Sequence, residues 1–165
     1  MVATKDVKST LIGHLRELHL PTFRECFEEY AGRALQETLS YEQYLLELTQ
    51  RECEVRRANR IERWLRQSKL PLEKNLESFD MKRLPAKVAR QVRSLLDGSF
   101  VDRTENLLAF GKSGSGKTHL LAASAQELVR SGRKVYFSTC SLLVQELLIA
   151  KRDLTLSRVL KRLSG

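Results

Sequence analysis

Cysteine is scarce in this chain, and its placement excludes a covalent framework. Cys26, Cys53 and Cys140 are odd in number, far apart and at no metal-ligand spacing. That argues against disulfides and a zinc site, and for a reduced, cytoplasmic setting. Proline is equally sparse. Pro21, Pro71 and Pro85 are the three in the chain, so long helices are free to run between them. No apolar run approaches the ~18 residues of a membrane span, and Met1–Asp6 lacks the apolar core of a signal peptide. Acidic residues are the remaining shortage: 20 Asp and Glu stand against 29 Lys and Arg, a net charge of +9. Residues 1–75 hold 13 basic and 12 acidic side chains, residues 76–165 hold 16 and 8. A basic excess confined to one part suits an anionic partner such as nucleic acid, or serves phosphates and solubility. The 42% hydrophobic and 30% charged content belongs to a globular chain.

What the chain does have is Gly111-Lys112-Ser113-Gly114-Ser115-Gly116-Lys117-Thr118, which fits G-x-x-x-x-G-K-[ST] at every fixed position. The apolar run Leu107–Phe110 precedes it, and a helix-patterned stretch to about Val129 follows. Phosphate binding needs several donors converging without side chains in the way. The glycines admit positive φ and close backbone approach. The loop N–H groups form an anion nest, reinforced by the first turn of the helix behind it. Lys117 is expected to reach β- and γ-phosphates as a point charge, and Thr118 to offer its hydroxyl to Mg²⁺.

Apolar periodicity predicts a helix over 7–19, stopped by Pro21, and another over 22–33, ended by Gly32. Ser40 is placed to cap a long helix to about Leu70. Its second half carries Arg56, Arg57, Arg60 and Arg63, a face that tracks a phosphate backbone or is simply solvated through Glu52–Arg56 and Glu62–Arg66 pairs. Trp64 reads as core. Neither His14 nor His19 has a ligand partner at metal spacing. Residues 71–85 read as a linker in which Phe79 is a lone apolar residue. A helix over 86–96 ends at Gly98. Strands are expected at Leu107–Phe110 and Val135–Ser138, and a helix capped by Ser141 runs to about Lys151. A basic amphipathic segment, Leu156–Leu163, closes the described pattern. Alternating strands and helices imply a parallel sheet. The domain reading is therefore 1–70 helical, for DNA or a partner; 71–85 linker; and 86–165 a P-loop domain.

An ordered set of segments resembles one family. Leu20-Pro21-Thr22-Phe23, Ser40–Leu48, Glu54–Arg60, Leu76–Asp80, Asn106–Gly111, Gly116–Leu120, Gly132–Phe137 and Leu142–Leu147 are similar to the IstB-like transposition helper ATPases, AAA+ proteins close to the DnaC-type helicase loaders. Lys112-Ser113 departs from the Pro-Pro often found there. The resemblance implies an α/β fold, with a helical N-terminal domain ahead of the start of a parallel P-loop domain. It implies ATP and Mg²⁺ as cofactors, with Gly111, Lys112, Ser113, Gly114, Ser115, Gly116, Lys117, Thr118 and His119 as the ATP-binding set. Thr118 is the metal contact, and no catalytic residue is assigned. DNA, held by Arg56, Arg57, Arg60 and Arg63, a transposase and further copies of the chain are the implied partners. The family's acidic Walker B motif is expected beyond Gly165. The chain is thus expected to be an N-terminal fragment without turnover of its own. Asp153 is not given that role.

Two other functions fit part of the pattern. A DnaC-type loader acts on a helicase instead of a transposase. An inactive DNA-binding remnant keeps the arginine helix without ATP turnover. A small-molecule kinase also has a P-loop, but near its N-terminus rather than behind a hundred largely helical residues.

Overall fold

The computed structural model describes residues 4–164, with side chains from 7 to 163. The outer ends of the expected 1–70 and 86–165 spans, residues 1–3 and 165, lie outside it. Eight helices follow in order: α1 Thr4–Glu17, α2 Pro21–Glu37, α3 Tyr41–Gln67, α4 Ala86–Leu95, α5 Ser99–Asp102, α6 Lys117–Arg130, α7 Cys140–Arg152 and α8 Leu156–Ser164, with a 3₁₀ turn at Met81–Arg83. None is long and apolar enough to cross a membrane. The chain forms two compact units, Met1–Arg60 and Ile61–Gly165, and the division falls within α3.

In the first unit, Pro21 opens α2 at the first helical position, where its missing N–H costs nothing. Gly32 does not end this helix. The stop is Thr38, left-handed at φ 54°, whose N–H bonds to Ala34 O. The start of α3 is a reciprocal capping box: Gln43 N–H donates to Ser40 Oγ at 3.2 Å, and Ser40 N–H to Gln43 Oε1 at 2.8 Å. Leu15 and Leu48 are buried, and so is the Glu52 carboxylate. Glu52 accepts from Thr22 N–H at 3.1 Å and from Arg56 Nε at 2.6 Å, while Arg56 Nη2 reaches His19 O at 2.5 Å. Burial pushes the Glu52 pKa up, but the Arg56 guanidinium and the Thr22 donor outweigh it and hold the carboxyl below its usual value.

The second unit is organised around α6. Leu70, Ala122 and Val129 form its buried cluster, with Ile61, Trp64, Leu65, Ala125, Val135 and Phe137 packed against it. Small residues along α6, Ala122 and Ala123 at 0% exposure, let neighbouring segments approach closely. Gly98 takes φ +74° before α5, and a Cβ there would stand 2.6 Å from Arg133 Nε and 2.8 Å from Leu128 Cδ2. Arg133 in turn grips Asp102 with both Nη atoms, at 2.8 and 2.7 Å.

The expected strands are a correction: the described residues contain helices and turns but no strand. A strand requires neighbours for its N–H and C=O groups. Leu107–Phe110 has no backbone hydrogen bond among the described residues, and Val135–Ser138 has one, Phe137 N–H to Ser68 O at 2.7 Å. Leu108 is 73% and Phe110 88% exposed. The cap of α7 is also corrected. Thr139, not Ser141, accepts from Leu142 N–H at 3.4 Å.

Candidate phosphate-binding site

The loop predicted to bind phosphate leads directly into α6. Gly114 and Gly116 take φ +74° and +85°, the left-handed region that glycine occupies without strain. Gly116 caps α6, and Leu120 N–H closes the first helical bond onto Gly116 O at 2.8 Å. Ser115 N–H donates to Lys112 O at 3.3 Å across the turn. A Cβ on Gly111 would come within 2.9 Å of Ser115 Oγ, so a side chain there requires the Ser115 hydroxyl to turn away. Lys117 is the first residue of α6, and its ammonium folds back over the loop. Its Nζ donates to Gly111 O at 2.9 Å and to Lys112 O at 2.8 Å. A cation is thus held across the mouth of a ring of backbone, behind which α6 presents the positive end of its dipole. Thr118 is exposed in the same turn. These residues fit a polyphosphate with its divalent ion.

His119 goes elsewhere. Its Nε2 lies 3.0 Å from Asn75 O and 3.2 Å from Ser78 Oγ. Its ring meets Phe79 edge-on, with centroids 5.1 Å apart and planes at 71°. Phe79 then closes on Gly116, where a Cβ would stand 3.2 Å from its Cε2. The turn that offers these partners is internally tied: Ser78 N–H donates to Asn75 Oδ1 at 2.9 Å, and Ser78 Oγ to Glu73 O at 3.1 Å. The stretch 75–79, read as linker from sequence, braces the loop from behind. The signal for this was the lone Phe79 in a polar stretch. A cavity of about 590 Å³ adjoins the brace, lined among others by Phe79, Val88, Val92, Leu107, Gly116 and Lys117.

Arg56, Arg57, Arg60 and Arg63 are all exposed on α3. Arg56 is committed to Glu52 and His19 as described above. The Glu62–Arg66 pair also forms, at 3.7 Å. No cluster of three or more His, Cys, Asp or Glu capable of holding a metal occurs among the described residues.

A sequence profile of the IstB-like ATP binding proteins matches residues 13–164. The chain is 34% identical over 155 residues to an insertion sequence IS5376 ATP-binding protein of Geobacillus stearothermophilus, covering 94% of this chain and 62% of that protein. It is 35% identical over 150 residues to an insertion sequence ATP-binding protein of Sinorhizobium fredii, covering 90% and 50%. It is 34% identical over 154 residues to the insertion sequence IS21 ATP-binding protein of Pseudomonas aeruginosa, covering 93% and 57%. The chain therefore spans between half and two thirds of the length of these curated relatives.

Proposed function

Because the chain belongs to the family of IstB-like ATP-binding proteins, we propose that it binds ATP with Mg²⁺ at Gly111–Thr118 and serves DNA transposition as an AAA+ helper in the cytoplasm. The observation that carries the nucleotide part is Lys117. Its ammonium already sits over the loop, on two carbonyls that a phosphate oxygen replaces as acceptor. Loop N–H groups and the first turn of α6 receive the phosphates, and the Thr118 hydroxyl is the protein ligand for the metal. Bound Mg²⁺ supplies neutralisation of the phosphate charge. His119 contributes through the brace on Phe79 rather than by touching phosphate.

The transposition role is supported by the relatives, whose names tie them to insertion sequences. In this reading the chain engages DNA through the α3 arginines, assembles with further copies of itself and assists a transposase. The domain reading of a helical part up to about residue 70 ahead of a P-loop part belongs to the same proposal.

The test is titration with a fluorescent ATP analogue. Lys117→Ala is expected to weaken binding more than tenfold, beyond about 1.4 kcal/mol. A Lys117→Ala protein that binds like the wild type removes the assignment.

A further inference from the structure

From Met81 to Leu96 the chain carries Lys82, Arg83, Lys87, Arg90 and Arg93 and no acidic residue. All five side chains are exposed. Arg83 pairs with Asp80 at 3.3 Å, while the other four form no ion pair among the described residues. On α4, at about 100° per residue, Lys87, Arg90 and Arg93 fall within about a third of the circumference. Val88, Val92 and Leu95 fall on the opposite side. Val92 is 2% exposed, and all three line the cavity beside the loop. The helix is therefore anchored by one face and cationic on the other.

The placement of the charge runs against local preference. Lys87 lies in the first turn, at the positive end of the helix dipole, where an anion is favoured. Pro85 provides no side-chain cap, and the first turn holds no acidic residue. On α3, by contrast, the Arg51–Glu54, Arg56–Glu52 and Arg66–Glu62 pairs offset three of the arginines from within the helix. A short helix with repelling cations and no internal counter-charge is stabilised by an external polyanion.

We propose that the exposed face of α4, Lys87, Arg90 and Arg93 with Lys82 just ahead of it, is a contact surface for the sugar-phosphate backbone of duplex DNA. This surface is additional to the α3 arginines, and the proposal rests on the reading of the chain as a DNA-binding protein. Lys87 and Arg93 are separated by about 9 Å along the axis, the reach of two to three successive phosphates on one strand. A lipid surface is disfavoured because the apolar face of α4 is turned into its own unit and leaves nothing to insert. Contacts of this kind read no bases, so binding is indifferent to sequence.

The experiment measures affinity of the full chain for a labelled random-sequence duplex between about 50 and 200 mM salt. The wild type is compared with Lys87→Gln/Arg90→Gln/Arg93→Gln and with Arg57→Gln/Arg60→Gln/Arg63→Gln. Glutamine keeps helix propensity, and circular dichroism checks that both variants fold. The α4 variant is expected to lower the salt slope of log K by about 2 to 3, near 0.9 per lost contact, and to bind at least tenfold more weakly. A wild-type slope and affinity in that variant, with DNA binding intact in the wild type, overturns the α4 surface and leaves the family reading standing. A wild type that binds no duplex at the lowest salt overturns the DNA reading itself. Binding to phosphatidylserine vesicles that the α4 variant loses while duplex binding is unchanged overturns the proposal in favour of a membrane.

Discussion

The described part of the unit Met1–Arg60 satisfies its backbone locally, within α1, α2 and the start of α3, whereas the unit Ile61–Gly165 leaves two apolar segments outside any helix. Exposure of large apolar side chains does not separate them. Leu35 and Tyr41 are 85% and 91% exposed in the first, Phe110 and Leu154 88% and 92% in the second. What separates them is where the hydrogen bonds go. A helix closes its bonds within four residues, so the first unit needs only caps, such as the Ser40–Gln43 box, and cross-links, such as Glu52 with Arg56 and Thr22. Among the described residues Leu107–Phe110 closes no backbone hydrogen bond and Val135–Ser138 closes one, and the second unit holds together through α6 instead.

The sharpest way to break the first unit is to strand its buried carboxylate. Arg56→Ala leaves Glu52 with its Thr22 and Phe23 partners and no counter-charge, and the expected cost is about 2–3 kcal/mol, read as a lowered midpoint in denaturant with an unchanged slope. The same group gives a pH signature. The native pKa of Glu52 lies below its ordinary value, so its stabilisation is complete above that ordinary value, 4.5. It is lost as pH falls through the lowered native value. Glu52→Gln is expected to be less stable than wild type near neutrality, and the gap between them to close on acidification below about 4.5. A gap that stays constant down to pH 3 excludes Glu52 as the source.

In the second unit the corresponding weak point is steric. Gly98→Ala forces a side chain to φ +74° and drives its Cβ into Leu128 and into the Arg133 arm that holds Asp102. The left-handed conformation alone costs about 1–2 kcal/mol. The expected result is a loss of at least that size in thermal stability, with the hydrogen-exchange protection of α1 and α2 unchanged. Protection lost equally in both units would show that they unfold as one, and would remove the contrast.

Legibility in the sequence followed the same divide. The turn at Gly111–Thr118 was readable in part because its requirement is local: of the three glycines expected to admit positive φ, Gly114 and Gly116 take it and Gly111 does not. Helix existence was readable from periodicity, but several stops were not. His19, Thr38, Lys69, Thr104 and Leu154 take left-handed conformations that sequence reasoning reserves for glycine. Gly32 consequently looked like an end and is mid-helix. The two strands were misread because apolar β-type residues describe a strand only when a neighbour is present to pair with. The brace was missed because Asn75 and Ser78 lie more than 40 residues from His119 in sequence, and the pairing carries no spacing rule.

The smallest effect tests that brace. His119→Ala removes the contacts to Asn75 O, Ser78 Oγ and the Phe79 ring. It leaves the Lys117 bonds to Gly111 O and Lys112 O in place. Losing one such positioning contact is worth about 1 kcal/mol or less, so affinity for the ATP analogue is expected to fall roughly three- to fivefold. His119→Gln keeps a donor for Asn75 O but no ring for Phe79, and should recover part of the loss. Phe79→Leu should reproduce the deficit with His119 intact, since its reach toward Gly116 is shortened. A His119→Ala deficit as large as that of Lys117→Ala would mean that the imidazole meets the nucleotide directly. It would then belong to the ATP-binding set rather than to the brace.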